Sequence, residues 1–249
     1  MTEVTSVNNE LVKEVAKLQQ TKFRNESGKF ILEGFKVIRE AYDSGIKIEC
    51  VFVKKGAEKE YSFLNDKLII TNEAVLKKIS STQSPPVAVA VGVQKRWDNS
   101  DFKNSKKVVL LENIKDAGNL GTILRTAAAF GADGIVLYGK EIVDLYNPKT
   151  VRSAVGNLWK TPILIVESIC ELKEMFNDYE RIATLPLSKN LLAEFKSNGK
   201  LLLMFGSEAD GLSDELIKFS TKSVKIEMSD NVESLNLSVS CAVCMYELF

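Results

Sequence analysis

Apolar positions in the first 93 residues switch between helical and extended spacing. The runs 11–18, 35–42 and 73–79 repeat at helical intervals, and Asn72 is a candidate cap for the last of them. The short apolar segments FILEG, IECVFV and VAVAVGV predict strands. This alternation predicts a small α/β/α domain over residues 1–93.

A second alternation follows the polar stretch 94–107, which we interpret as a linker. Continuous apolar runs predict strands at VVLLEN, GIVLYG, TPILIV, RIATLP, KLLLMFG and SVKIEM, and a last helix spans about 237–249. Runs of this kind indicate a parallel sheet covered on both faces, so we expect an α/β domain over 108–249. Ligands bind such sheets beyond the carboxyl ends of the strands, which directs attention to the loops after LLEN, MFG and IEM.

Composition narrows the possible chemistry. The 249 residues include no histidine, which excludes Ser-His-Asp and Cys-His catalysis and removes the commonest zinc ligand, so no metal site is expected. No apolar run approaches the roughly 20 residues of a membrane span, and the N-terminus lacks a signal pattern, so we expect a cytoplasmic protein without a membrane partner. The four cysteines are expected to be reduced thiols, and the pair in CAVC (Cys241 and Cys244) to be buried in an apolar helix.

The net charge is zero, but residues 13–39 hold seven basic side chains against three acidic ones. A small basic patch could bind phosphates, although a solvated lysine-rich surface explains it equally well. The candidate contacts to a phosphate-bearing partner such as a nucleic acid are Lys22, Arg24, Lys29 and Arg39.

Arg125 interrupts the apolar helix NLGTILRTAAAFG. On a 3.6-residue period the broad apolar face excludes Arg125, which shares a side with small residues such as Gly121 and Ala129. That side would let a ligand or another chain approach closely. A structural ion pair with Glu208 remains an alternative at this point.

The other two loops are also unusual. GSEADGL holds Glu208 between Gly206 and Gly211, which permit close backbone approach, although a turn followed by a Ser213 helix cap would explain the same letters. In SDNVESLNL, Ser234 and Asn236 precede the last helix, where short polar side chains cap helices or contact ligands. GIVLYGKE resembles a phosphate-binding loop only superficially, because Glu141 replaces Ser or Thr and IVLY is itself a strand.

Taken in order, these loops resemble the three motifs of the SpoU (TrmH) family of the SPOUT superfamily. The motifs are matched by Asn119, Gly121 and Arg125, by Gly206, Glu208 and Gly211, and by Ile226, Met228, Glu233, Ser234, Leu235 and Asn236. The resemblance implies a parallel-sheet SPOUT domain with a trefoil knot, preceded by an L30e-like RNA-binding domain. It also implies S-adenosyl-L-methionine-dependent methylation of an RNA ribose 2'-hydroxyl by a homodimer, with RNA rather than DNA as partner.

The same resemblance implies roles for individual residues. The catalytic set is Arg125, Asn119, Glu208, Ser234 and Asn236, and the cofactor-binding set is Phe205, Gly206, Gly211, Ile226, Met228, Ser234 and Leu235. The family often has proline where this chain has Ala117 and Glu227, which would loosen the cofactor loop without removing a catalytic group.

We expect ribosomal RNA as the substrate, with transfer RNA as the alternative. A catalytically silent RNA-binding protein and a nucleotide-dependent transferase that uses GIVLYGKE are the competing functions. Because a guanidinium stays charged, Arg125 is expected to act as an electrostatic clamp more readily than as a base.

Overall fold

A computed structural model describes residues 2–197, 199–229 and 231–249 of the chain. The helices are α1 (Glu10–Lys17), α2 (Thr21–Ser27), α3 (Phe35–Asp43), α4 (Glu73–Ile79), α5 (Ala117–Ala129), α6 (Pro148–Ala154), α7 (Ile169–Phe176), α8 (Asp214–Phe219) and α9 (Leu237–Leu248). The strands are β1 (Thr2–Val4), β2 (Lys29–Glu33), β3 (Ile48–Lys54), β4 (Leu68–Thr71), β5 (Ala88–Val93), β6 (Lys107–Glu112), β7 (Gly134–Tyr138), β8 (Ile163–Val166), β9 (Glu180–Thr184), β10 (Leu201–Phe205) and β11 (Lys222–Val224). Across the described residues, no helix is both long and apolar enough to cross a bilayer.

The first compact unit extends to Lys95 and also contains Asp144–Trp159. Its five-stranded sheet has the order β1-β4-β3-β5-β2, with β5 antiparallel to both neighbours and the other pairs parallel. Helices α1 and α4 pack on one apolar cluster of this sheet. The predicted helix α4 and its cap are confirmed, since the Asn72 side chain accepts a hydrogen bond from the Val75 amide at 3.0 Å.

An ion pair and an aromatic cluster anchor residues 144–159 in the first unit, whereas the sequence assigned them to the second domain. Arg24, only 1% exposed, donates from Nε to Asp144 Oδ2 at 2.7 Å. The Phe30 ring lies 4.6 Å from Tyr146 and 6.0 Å from Trp159, centroid to centroid. These contacts join residues more than a hundred positions apart, which local periodicity cannot reveal.

A second ion pair holds the same segment. Arg152 donates to Glu33 Oε2 at 2.6 Å, and the Glu33 carboxylate also accepts from Ser80 and the Ser81 amide. Burial alone would raise the pKa of Glu33, but these hydrogen bonds outweigh it and lower the pKa below its ordinary value. Glu33 is therefore held as a charged, fully partnered group.

The second unit contains Arg96–Val143 and Lys160–Phe249. Its six-stranded sheet has the order β11-β9-β10-β6-β7-β8, and all its pairs are parallel, as the apolar runs predicted. The central strands β6 and β10 are neighbours, so the loops after LLEN and MFG leave the same edge side by side. Helix α5 packs against α9.

Two details differ from the predictions. The segment taken as a linker contains a short 3₁₀ helix at Asn99–Phe102, and Phe102 is buried in the second unit's core beside Val108. Strand β11 ends at Val224, so 226–228, predicted as strand, are free of the sheet. These last residues instead border a cavity.

Candidate active site

Helix α5 presents Arg125 to solvent. The helix begins where Asp116 accepts a hydrogen bond from the Asn119 amide at 2.8 Å, and it buries Ile123 and Ala127 in the core. Arg125 lies on the exposed side, as the helical period predicted. Its side chain forms no hydrogen bond or ion pair with any residue that the structure describes, so the alternative ion pair with Glu208 is absent from that part of the chain.

The loop after β10 is a tight turn that depends on its glycines. Ser207 and Gly211 exchange two backbone hydrogen bonds of 3.1 Å, and Gly211 has φ of +68°. A Cβ at Gly206 would overlap the backbone of Gly211 and Leu212. Any side chain at position 206 would therefore force this loop apart.

Helix α9 starts with a polar cap and continues into the core. The Asn236 side chain accepts from the Ser238 amide at 2.9 Å. Cys241 and Cys244 are fully buried, and burial raises the pKa of Cys244 to about 12 and that of Cys241 well above its ordinary value. The expectation of two buried thiols is confirmed.

One residue from each loop enters a continuous hydrogen-bonded chain. Asn119 donates from Nδ2 to Glu208 Oε1 at 2.9 Å, and Asn236 donates from Nδ2 to Asn119 Oδ1 at 3.1 Å. The side-chain amide of Asn119 thus both donates and accepts a hydrogen bond, which fixes the orientation of this side chain. This series of hydrogen bonds holds the Glu208 carboxylate at the edge of the sheet.

A cavity of about 680 Å³ opens beside this chain, between the loops that follow β9, β10 and β11. All seven residues expected to bind the cofactor line it: Phe205, Gly206, Gly211, Ile226, Met228, Ser234 and Leu235. Glu208 and Asn236 line it too. Asn119 and Arg125 lie outside its lining.

Two features at this edge of the sheet escaped the sequence analysis: one further wall of the cavity, and a buried carboxylate. Thr184, Leu185 and Pro186 line it from the end of β9, which the predicted strand RIATLP could have indicated once its neighbours in the sheet were known. Glu112 is buried at the end of β6 and accepts from the Ser213 amide at 2.8 Å. It fixes the start of α8, which Ser213 caps, directly after the glycine loop.

The cavity suits S-adenosylmethionine in size and lining. Its volume falls within the roughly 300–1,000 Å³ typical of ligand sites. Phe205, Ile226 and Leu235 give the cavity the apolar surface that an adenine ring needs, and Glu208, Ser234 and the backbone of Gly206 also line it. The residues present therefore fit this cofactor.

The residues proposed to contact RNA divide into two groups. Lys22, Lys29 and Arg39 are at least partly exposed, paired with Glu26, Glu49 and Asp43 respectively. Arg24 is buried against Asp144, so its assignment as an RNA contact is wrong. The basic cluster in the sequence therefore contains one buried, structural arginine as well as exposed lysines and Arg39.

Comparisons with known proteins give the family. The SpoU rRNA Methylase family model matches residues 106–246, and the MRM3-like substrate binding domain matches residues 9–90. An uncharacterized tRNA/rRNA methyltransferase of Synechocystis sp. is 33% identical over 98% of this chain and 92% of its own length. The 23S rRNA (guanosine(2553)-2'-O)-methyltransferase of Bacillus subtilis is 26% identical over 100% and 99%.

Solved structures agree with these relatives. An rRNA methyltransferase from Sinorhizobium meliloti with bound AdoMet superposes with a TM-score of 0.88 at 28% identity, covering 99% of this chain and 96% of that one. An RNA 2'-O ribose methyltransferase gives 0.86 at 28% identity, covering 99% and 97%. The chain therefore belongs to the SpoU rRNA methylase family, and it is an S-adenosylmethionine-dependent RNA ribose 2'-O-methyltransferase.

Proposed function

We propose that this enzyme methylates ribosomal RNA, with the first unit binding the substrate and the second transferring the methyl group. The match of residues 9–90 to a substrate-binding domain supports this division, and the ribosomal substrate named for the Bacillus subtilis relative supports the choice of RNA. Transfer RNA is the second candidate, because the Synechocystis relative is named for both. We also propose that the enzyme acts in the cytoplasm, where its four free thiols would stay reduced.

The observation that carries the proposed mechanism is the hydrogen-bonded chain from Asn236 through Asn119 to Glu208. S-adenosylmethionine, when bound, supplies an electrophilic methyl group. Phe205, Ile226 and Leu235 would hold its apolar part, and the backbone around Gly206 its polar groups. Ser234 and the fixed Glu208 carboxylate would orient the ribose beside them.

Arg125 is proposed as the group that acts on the ribose hydroxyl. Negative charge develops on the hydroxyl oxygen as its proton leaves, and a guanidinium placed there stabilises that charge. Because the guanidinium stays protonated, Arg125 cannot itself take the proton, which passes to water as the oxygen gains the methyl group. It serves as a clamp on the oxygen and on a neighbouring phosphate.

The proposal includes a homodimer. Val239, Val243 and Tyr246 form an exposed row on α9, with exposures of 47%, 38% and 76%. Arg125 and Ala129 are exposed on α5, the helix that packs against α9. Burying this face against a second copy would cover the apolar row and bring Arg125 to a cofactor cavity at the interface.

The test uses tritiated S-adenosylmethionine and unmodified transcripts of large-subunit rRNA, small-subunit rRNA and a transfer RNA pool. We expect label in one ribosomal transcript, at a single nucleotide. Label found only in transfer RNA would show that transfer RNA is the substrate, and the proposed chemistry would stand. Absence of label from every transcript, with the cofactor bound, would favour a silent RNA-binding protein.

A further inference from the structure

One face of α3 carries an exposed aromatic cluster that the mechanism above leaves unused. Phe35 and Tyr42 are 44% and 42% exposed and lie seven residues apart, so they share a face of the helix. Phe63, from the 3₁₀ segment Glu58–Lys67, joins them, with its ring centroid 6.3 Å from Phe35 and 5.0 Å from Tyr42. Clustered exposed rings of this kind mark a contact surface.

A cation completes this face. The Arg39 guanidinium carbon lies 4.8 Å from the Phe63 ring centroid and 6.0 Å from that of Tyr42. Its partner Asp43 is half exposed, and such a surface pair is weak enough for a phosphate to displace it. The nearby Glu40 packs where a Cβ on Gly156 would sit, which directs its side chain towards the segment 144–159.

We propose that this aromatic platform, formed by Phe35, Arg39, Tyr42 and Phe63, stacks unpaired bases of the substrate RNA. The proposal rests on the first unit being the RNA-binding unit. Aromatic rings and guanidinium planes are the groups on which proteins stack splayed-out RNA bases. Arg39 supplies both a plane for stacking and a charge for the adjoining phosphate.

The charge of the chain favours stacking as the source of affinity. Lys+Arg and Asp+Glu are equal at 33 each, and the exposed cations Lys22 and Lys29 are already paired with acids. Few phosphates can then be neutralised, so the electrostatic share of RNA binding is small. Stacking supplies affinity without net charge, and the platform lies within the substrate-binding match 9–90.

The first measurement compares two fluorescent oligoribonucleotides on the full-length protein: a 12-residue adenosine chain and an abasic chain of the same length. Wild-type protein is expected to bind the adenosine chain about 5- to 100-fold more tightly than the abasic one. Equal affinities would overturn the proposal without the use of any variant.

Variants then locate the effect. Phe35→Ala and Tyr42→Ala are each expected to weaken binding of the adenosine chain about 5- to 100-fold, with little change for the abasic chain. Phe35→Tyr and Tyr42→Phe keep the rings and should bind within about twofold of wild type, as should Val7→Ala, a matched exposed position in the first unit. Unchanged affinity of the two alanine variants for the adenosine chain would overturn the proposal. It would do so even if the variants changed the self-association of the protein.

Methyl transfer separates this inference from the proposed function. Suppose that wild-type protein labels RNA and that the double variant Phe35→Ala/Tyr42→Ala has a higher KM for RNA with an unchanged kcat. The proposed function and the platform are then both supported. If labelling proceeds with an unchanged KM, only the platform fails. If wild-type protein binds the adenosine chain through the platform but labels no RNA, the proposed function fails and the platform stands.

Discussion

At the residue scale, Arg125 combines exposure with isolation. It projects from a helix whose other face is buried, and it has no partner among the described residues. We predict that Arg125→Ala lowers kcat at least about 100-fold, the usual loss on removing a donor that stabilises developing charge. Cofactor affinity should stay within about twofold, because Arg125 does not line the cavity.

Arg125→Lys is the informative control, since it keeps the positive charge but removes the planar guanidinium, which can donate to two oxygens at once. An intermediate rate would fit a clamp on two oxygens. Wild-type turnover in Arg125→Ala, measured by label transfer under single-turnover conditions, would remove Arg125 from the mechanism.

Gly206 gives a second residue-scale prediction. A methyl group at this position would meet the backbone of Gly211 and Leu212, which no side-chain motion relieves. Gly206→Ala should therefore weaken S-adenosylmethionine binding at least about tenfold by displacing the loop that borders the cavity. Isothermal titration measures this directly.

Gly199 provides the matched control, because a Cβ added there meets no atom within 4 Å. Gly199→Ala should bind the cofactor like wild type. Equal binding by both variants would mean that the glycine loop does not shape the cofactor site.

Much of the residue-scale account could be predicted. Helical period separated Arg125 from the core, and the resemblance of the three loops to the SpoU motifs pointed to Asn119 and Glu208. Arg24 could not be assigned correctly, because its partner Asp144 lies 120 positions along the chain and becomes a neighbour only after folding. Local sequence describes a side chain's own helix but not what the fold packs against it.

At the element scale, the segment 144–159 is part of the first unit despite its place in the sequence. Asp144→Ala would leave the Arg24 guanidinium buried without its counter-ion. We predict a loss of about 3 kcal/mol in unfolding free energy, within the range for breaking a buried pair. Urea denaturation followed by the combined fluorescence of Trp97 and Trp159 would measure it.

Glu3→Ala removes an exposed pair with Lys55 and should cost no more than about 0.5 kcal/mol. If Asp144→Ala proved as mild as this control, the ion pair would not hold the segment.

Elements were predictable where their own pattern determined them. Strands β7 and β10 are apolar throughout, β6 is apolar between Lys107 and Glu112, and α4 carries its cap in the sequence, so each was located correctly. The shorter β11 was not, because Ile226 and Met228 are as apolar as strand residues yet serve the wall of a cavity. Apolar character indicates that a residue is covered, but it does not show whether a neighbouring strand or a bound ligand covers it.

At the scale of the whole molecule, the account predicts a dimer formed through α9. Val243→Glu would place a charge in the middle of the exposed apolar row. We expect the wild-type protein to sediment as a dimer and Val243→Glu as a monomer at micromolar concentration, with reduced methyl transfer. Val7→Glu, a charge at a similarly exposed valine of the first unit, should remain dimeric.

The overall topology was accessible only through resemblance. Apolar periodicity predicts a parallel sheet, and the six-stranded sheet confirms it, but periodicity carries no information on the path of the chain between strands. The trefoil knot implied by the family stays a prediction. Knots are rare exceptions to ordinary chain topology, so no physical rule applied to the sequence would have proposed one.

The central claim is that the cavity and the three loops serve methyl transfer to a ribose oxygen. The most direct measurement is alkaline hydrolysis of ribosomal RNA labelled by the enzyme with tritiated S-adenosylmethionine. Alkali cleaves RNA through the free 2'-hydroxyl, so a methylated ribose protects the adjoining bond. The account predicts that the label elutes in alkali-resistant dinucleotides; label in mononucleotides would show base methylation and contradict it.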